Sequence, residues 1–208
     1  MRHIAHIMLG NGAKNLLCEL KKYVIKYGET EELNYFSALL YLESDLSSTF
    51  EIADVINSDE SVFIPGVENL FEVSLLQNYE VPNEERFLHL CDFFTKFYNK
   101  HITINNLGIS DKLHICLYVP LYDKKYWLIV KEFLSVIDSI EQEFIVDLFL
   151  LTYDLAFLFE DKKEELPLKI KQFQEQTQLI VPEIISSKKD FTSLGHIIMM
   201  QNCNNLGV

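Results

Sequence analysis

Apolar positions along the chain follow two repeat lengths, one typical of β-strands and the other of α-helices. Alternating or near-continuous apolar segments, which favour strands, occur at residues 3–9, 35–42, 113–119, 144–151 and 196–202. Segments with apolar residues three to four positions apart, typical of amphipathic helices, begin at Ala13, Asn83, Lys124 and near Pro167. This alternation predicts an α/β fold: a three-layer, Rossmann-like, mostly parallel sheet of about five strands with helices on both faces.

Each predicted helix has one apolar face that we expect to lie in the core. After Asn83 this face comprises Phe87, Leu90, Cys91, Phe94 and Phe97. Over residues 124–140 it comprises Trp127, Val130, Phe133, Leu134, Ile137 and Ile140, and in the last helix Ile170, Phe173, Ile180 and Ile184. Four histidines, His3, His6, His114 and His196, fall within strand patterns. We expect these four to be packed and hydrogen-bonded rather than catalytic.

The chain is interpreted as one domain over residues 1–208 with an irregular acidic insertion at about 58–82. A chain of 208 residues is long enough for a single domain with a proper core. The turn signal Pro65-Gly66 lies inside the insertion. No helix pattern follows the last predicted strand. The chain is therefore also compatible with being the N-terminal part of a longer protein.

The negative charge of the chain is concentrated in one segment. The net charge is −13, and residues 27–85 hold fourteen acidic residues without a single lysine or arginine. The rest of the chain carries 18 basic and 17 acidic residues. Such a surface repels nucleic acid and anionic membrane and favours a basic protein partner or a cation. Glu68, Glu72 and Glu80 are the candidate partner-binding residues.

Other features of the composition point to a cytoplasmic protein. No apolar run approaches the roughly 20 residues that a membrane-spanning helix needs, and the N-terminus has no signal-peptide pattern. The four cysteines are far apart in apolar contexts, which suits reduced thiols better than disulfides. We therefore expect no membrane partner.

The stretch Gly10-Asn11-Gly12 joins the first strand to the first helix. Glycines at such a turn let backbone N–H groups approach a phosphate, and the following helix offers its positive end. The dinucleotide fingerprint is incomplete, because Asn15 stands where its third glycine or alanine belongs, and the P-loop pattern is absent. These three residues are either a phosphate-binding loop or a tight turn from strand to helix.

Glu43 and Asp45 follow the second predicted strand and are candidate ligands for Mg²⁺. Two carboxylates at the end of a strand can hold this hard cation, although solvated charges in that position are common. The sequence contains no GxSxG or HExxH motif and no convincing catalytic triad. We therefore expect a protein without catalytic activity.

The order of these segments resembles the nucleotide-binding half of the tubulin superfamily, including bacterial tubulin-like proteins. The similar segments are "IMLGNGAKNLL", "HICLYVPLY", "FIVDLFLL" and "HIIMMQNCN". The resemblance implies that Gly10, Asn11 and Gly12 contact a nucleotide, with GTP and Mg²⁺ as the implied cofactors. Residues 119–127, "VPLYDKKYW", contain no glycine where that family has a second glycine-rich loop.

Three functions are compatible with the sequence. The first is a non-catalytic intracellular α/β domain for protein assembly or partner binding through its acidic surface. The second is a tubulin-like domain that binds GTP. The third is a Mg²⁺-dependent phosphoryl-transfer enzyme that uses the same strand ends.

Overall fold

The computed structural model describes residues 4–9, 36–42, 84–104, 112–121, 124–141, 143–152, 164 and 166–201. In this part the strands are β1 (Ile4–Leu9), β2 (Phe36–Leu42), β3 (Leu113–Pro120), β4 (Phe144–Thr152) and β5 (Leu194–Gln201). The helices are α1 (Glu84–Ile104), α2 (Lys124–Ser139) and α3 (Leu166–Ser186), and a short 3-10 helix (Ser187–Lys189) precedes β5.

The strands form one sheet in the order β2-β1-β3-β4-β5, and every neighbouring pair runs parallel. Parallel neighbours need a crossover connection, which α2 supplies between β3 and β4 and α3 supplies between β4 and β5. The predicted α/β arrangement of a parallel sheet with helices is therefore confirmed. The predicted insertion at 58–82 lies outside the described residues.

One face of the sheet packs against all three helices. Alternate side chains of a strand point to the same face, and in β1, β3 and β4 one such set joins the buried core with residues of α1, α2 and α3. The strand members of this core are Ala5, Ile7, Leu9, Leu113, Ile115, Leu117, Val119, Phe144, Val146, Leu148, Leu150 and, in β5, Leu194. We call this the helix-covered face, and the opposite side the second face.

In α1 and α2 most of the apolar positions that the periodicity predicts are buried, and in α3 Ile180 and Ile184 are buried. Every predicted core position of α2 up to Ile137 is buried, and Ile140, just beyond its end, packs against the core. Tyr126, Ile129 and Val136 are also buried, which widens this face and places α2 between α1 and α3. In α1 the buried face includes Phe93 and Tyr98 besides Leu90, Phe94 and Phe97, whereas Phe87 and Cys91 are partly buried.

The end of α2 is tied to the turn before β5 by the Asp138 carboxylate. Its Oδ2 accepts a hydrogen bond from the backbone N–H of Thr192 at 2.8 Å, and its Oδ1 accepts one from Ser193 at 2.9 Å. The Ser193 carbonyl in turn accepts the backbone N–H of Val146 at 2.8 Å. One side chain of α2 thus sets the position at which β5 joins β4.

We expect Asp138→Ala to lower the free energy of unfolding by about 1–2 kcal/mol, because it leaves two backbone donors without a carboxylate. The control is Asp92→Ala, which removes only an exposed i,i+4 pair with Lys96, worth about 0.3–0.5 kcal/mol. Urea unfolding followed by circular dichroism measures both values. Equal losses in the two variants would show that Asp138 contributes only surface charge.

Candidate functional site

The carboxyl edge of the sheet contains a topological switch point between β1 and β3. From β1 the chain continues to β2 on one side, and all later strands lie on the other side, beginning with β3. In parallel sheets with helices, ligands bind outside the carboxyl ends of the strands at the point where the strand order reverses. In this sheet, that point is next to Leu9, the last residue of β1.

Two of the predicted sites follow β1, which flanks this switch point, and β2, its neighbour on the other side. Gly10 is bonded to the end of β1, and Glu43 to the end of β2, its parallel neighbour. All the predicted site residues lie outside the described residues. They are Gly10, Asn11, Gly12, Glu43, Asp45, Glu68, Glu72 and Glu80.

Hydrogen bonds fasten the carboxyl ends of β3, β4 and β5 to one another. The backbone N–H of Leu121 donates to the carbonyl of Leu151 at 3.3 Å. The Thr152 hydroxyl donates to the carbonyl of Met200 at 2.8 Å. These contacts extend the connection between β3, β4 and β5 beyond the regular strand pairing.

A row of polar side chains crosses the second face of the sheet. His6 of β1 is the register partner of Cys116 in β3, and Cys116 is the register partner of Asp147 in β4. Asp147 then contacts His196 of β5. The row joins residues that are widely separated along the chain, and only strand pairing brings them together.

At one end of the row, His6 forms a hydrogen bond with Tyr118. His6 Nδ1 lies 2.9 Å from the Tyr118 hydroxyl oxygen, and the two rings are stacked with their centroids 5.8 Å apart. Tyr118 stacks in turn on Phe149, with 4.9 Å between centroids. The expectation that His6 is packed and hydrogen-bonded is confirmed.

Burial favours the uncharged forms of His6, Cys116 and the neighbouring Tyr118. Loss of solvent lowers the pKa of His6 to about 4. It raises the pKa of the Cys116 thiol to about 12, with a further contribution from the negative charge of Asp147, and it raises the pKa of Tyr118. The thiolate is the reactive form of cysteine, and the burial of Cys116 disfavours that form.

At the other end of the row, the Asp147 carboxylate holds His196 by two hydrogen bonds. Its Oδ1 accepts the backbone N–H of His196 at 2.7 Å and lies 3.0 Å from the ring Nδ1. The side chain of His196 is 80% exposed and that of Asp147 is 21% exposed. His196 is therefore hydrogen-bonded as expected but, contrary to expectation, it is not packed.

Gly195 makes the close approach of Asp147 possible. A Cβ atom at position 195 would overlap Asp147 Oδ1 and would lie 3.1 Å from Ile145 Cγ2. The strand pairing is irregular at this point, between Val146 and Leu148 of β4. Two signals in the sequence mark the contact: Asp147 is the only charge in "FIVDLFLL", and Gly195 interrupts the start of the last strand.

We expect Gly195→Ala to lower the free energy of unfolding by about 2 kcal/mol, because the new methyl group must displace the carboxylate of Asp147. The test is a double-mutant cycle with Asp147→Ala, in which the obstructing oxygen is absent. In that background we expect alanine at 195 to cost at least about 1 kcal/mol less. Additive losses in urea unfolding would contradict the steric explanation.

The described residues contain no group of three histidine, cysteine or acidic side chains that could hold a metal ion. Cys91 and Cys116, the cysteines in this part of the chain, are free thiols. No helix among the described residues has the length and apolarity needed to cross a membrane. The candidate site is the switch point at the carboxyl edge, and the polar row crosses the second face nearer the middle of the strands.

Comparison of the chain with protein-family models, with curated proteins and with solved structures gives no match in any of the three.

Proposed function

We propose that this protein binds a phosphate-bearing nucleotide at the carboxyl edge of its sheet, between the ends of β1 and β3. The strand order β2-β1-β3-β4-β5 carries the proposal, because it puts a switch point directly at the end of β1. Gly10, Asn11 and Gly12 are the next residues of the chain. GTP is the first ligand to test, because the resemblance to the tubulin superfamily implies it.

The same proposal assigns a Mg²⁺ ion to the side of β2. β2, the strand that Glu43 and Asp45 follow in the sequence, is the parallel neighbour of β1, the strand that leads to Gly10. Carboxylate oxygens are suitable ligands for Mg²⁺ when it is also bound to phosphate. The phosphoryl-transfer alternative uses this ion, and detection of released phosphate tests it.

The proposed architecture is a three-layer sandwich of five parallel strands between two layers of helices. On the second face, Met8 is 0% exposed, Tyr118 6% and Cys116 9%, although α1, α2 and α3 all pack on the other face. A right-handed crossover from β1 to β2 would run over the second face. We assign this place to the helix predicted over residues 13–27.

Thermal shift measurements with GTP, ATP, NAD and FMN, with and without Mg²⁺, test the nucleotide proposal. A ligand at a hundredfold its dissociation constant should stabilise the protein by about 2.7 kcal/mol. We expect Gly12→Ala to abolish this stabilisation and to leave the melting temperature of the free protein nearly unchanged. The double variant Glu43→Gln, Asp45→Asn should remove only the part of the ligand-induced stabilisation that depends on Mg²⁺.

Two results would overturn the proposal. One is a wild-type protein that no nucleotide stabilises. The other is a Gly12→Ala variant that melts earlier with and without ligand and retains the full shift, because Gly12 would then serve only the turn. Alanine is unfavourable at positive φ, whereas glycine adopts such angles freely.

A second candidate function is binding of a basic protein partner, which the charge distribution favours. Residues 27–85 carry fourteen acidic residues and no lysine or arginine. Replacing Glu68, Glu72 and Glu80 with lysine should weaken the contact while the fold is retained, because surface substitutions usually change stability by no more than about 0.5 kcal/mol. Affinity purification with the wild type and this variant, quantified by mass spectrometry, compares the partners captured. Unchanged partners would exclude these three residues from the contact.

A further inference from the structure

Strand β5 combines the sequence of an interior strand with a position at the end of the described sheet. It pairs with β4, and among the described residues it has no strand on its other side. Its sequence, "LGHIIMMQ", contains no acidic residue, lysine, arginine or proline. Edge strands usually carry such residues, which prevent pairing with another chain.

The apolar side chains near the centre of β5 are exposed on both faces of the strand. Ile198 is 39% exposed and Met199 is 48% exposed, and consecutive residues of a strand point to opposite faces. The helix that leads to β5 also exposes Leu179 and Ile185, at 75% and 58%. An edge of this kind is typical of a surface that is covered in an assembly.

The charge distribution allows a second copy of the chain to approach here. Residues 166–201 contain four lysines and three acidic residues, so this part is nearly neutral in a chain of net charge −13. Two copies that met through residues 27–85 would repel each other strongly, whereas two copies that meet at β5 bring together a strand without charged residues.

We propose that β5 pairs antiparallel with β5 of a second copy, so that the two sheets become one continuous sheet. A two-fold axis perpendicular to the sheet makes the two edge strands antiparallel, and it makes the interface self-complementary. The backbone N–H and C=O groups on the outer side of β5 would bond across the axis, and Ile198 and Met199 would be buried on opposite faces. This interface is independent of the nucleotide site.

Sedimentation velocity of the full chain over an approximately hundredfold range of concentration tests the proposal, because mass action raises the dimeric fraction as the concentration rises. We expect dimers in the wild type. Ile198→Lys and Met199→Lys should each raise the dimer dissociation constant by about tenfold or more, because each places like charges near the two-fold axis. The matched control is Leu88→Lys, which puts the same charge at a 67% exposed position on α1 and should leave the constant unchanged.

Hydrogen exchange of the wild type gives an answer that does not depend on the variants. The alternate amides of residues 194–201 that do not bond to β4 should exchange fast in dilute solution and slowly where the dimer forms. Three results would overturn the proposal: a monomer at every concentration, a dimer that survives both lysine substitutions, or protection of these amides in the monomer, which would mean that the chain itself covers this edge.

Discussion

Replacing Phe94 with alanine is expected to lower the free energy of unfolding by about 4 kcal/mol, the largest loss that we predict for a single substitution. Phe94 is fully buried and lies where α1, α2 and β4 meet. Its ring makes edge-to-face contacts with Phe133 and Phe144, at 5.3 Å and 6.1 Å between centroids. Alanine removes these contacts and leaves a cavity between three elements that cannot all move to close it.

Chemical denaturation with urea measures this loss, and Leu88→Ala on the same helix is its control. Leu88 is 67% exposed, so its truncation should change stability by no more than about 0.5 kcal/mol. A comparable loss in both variants would mean that α1 responds to helix propensity and not to packing. A small loss at Phe94 alone would mean that α1 does not depend on its contacts with β4 and α2.

Acidification from pH 7 to pH 4 is expected to remove about 3 kcal/mol of stability through His6 alone. Burial lowers the pKa of this imidazole from 6.5 to about 4. Between these values the unfolded chain binds a proton at His6 and the folded chain does not. This contribution is therefore fully present above pH 6.5 and is lost as the pH falls toward 4.

The acid sensitivity of His6 is measured as a difference between two proteins, because the carboxylates titrate in the same range. The free energy of unfolding of the wild type should fall more steeply between pH 6.5 and pH 4 than that of His6→Asn, which keeps a polar atom near the Tyr118 hydroxyl. Tyr118→Phe leaves the imidazole buried and removes the hydrogen bond between these two side chains. This variant should lose about 1 kcal/mol at pH 7 and keep the steep slope. Parallel curves for the wild type and His6→Asn would contradict the buried neutral state.

Several elements of the fold could be predicted closely from periodicity. The predicted strand at 144–151 corresponds to Phe144–Thr152, and the predicted helix at 124–140 to Lys124–Ser139. Pro167 was expected in the first turn of the last helix, which begins at Leu166. These agreements have one physical cause. A strand or helix buries one side against a core, and the spacing of its apolar residues within that single segment follows from this burial.

The candidate site could be predicted only in part. The glycines at 10 and 12 indicate a turn after β1. Whether this turn lies at a ligand site depends on which strands flank β1, and the sequence of the loop does not determine those strands. Asp147 was missed as a contact of His196, because the pair forms through an irregular register between β4 and β5. The sequence signals were a lone charge in an apolar strand and a glycine in its neighbour.

The sequence by itself determined the α/β class, the helix faces in the core and the concentration of negative charge in residues 27–85. Each of these features depends only on residues that are close together in the chain. Only the tertiary structure decided that β1 lies between β2 and β3, that His6, Cys116 and Asp147 form a row, and that β5 ends the described sheet. The apolar repeat of a strand indicates which of its faces are buried, but it does not specify which strands lie beside it. Neighbours are chosen by crossover handedness and by packing between segments far apart in the chain.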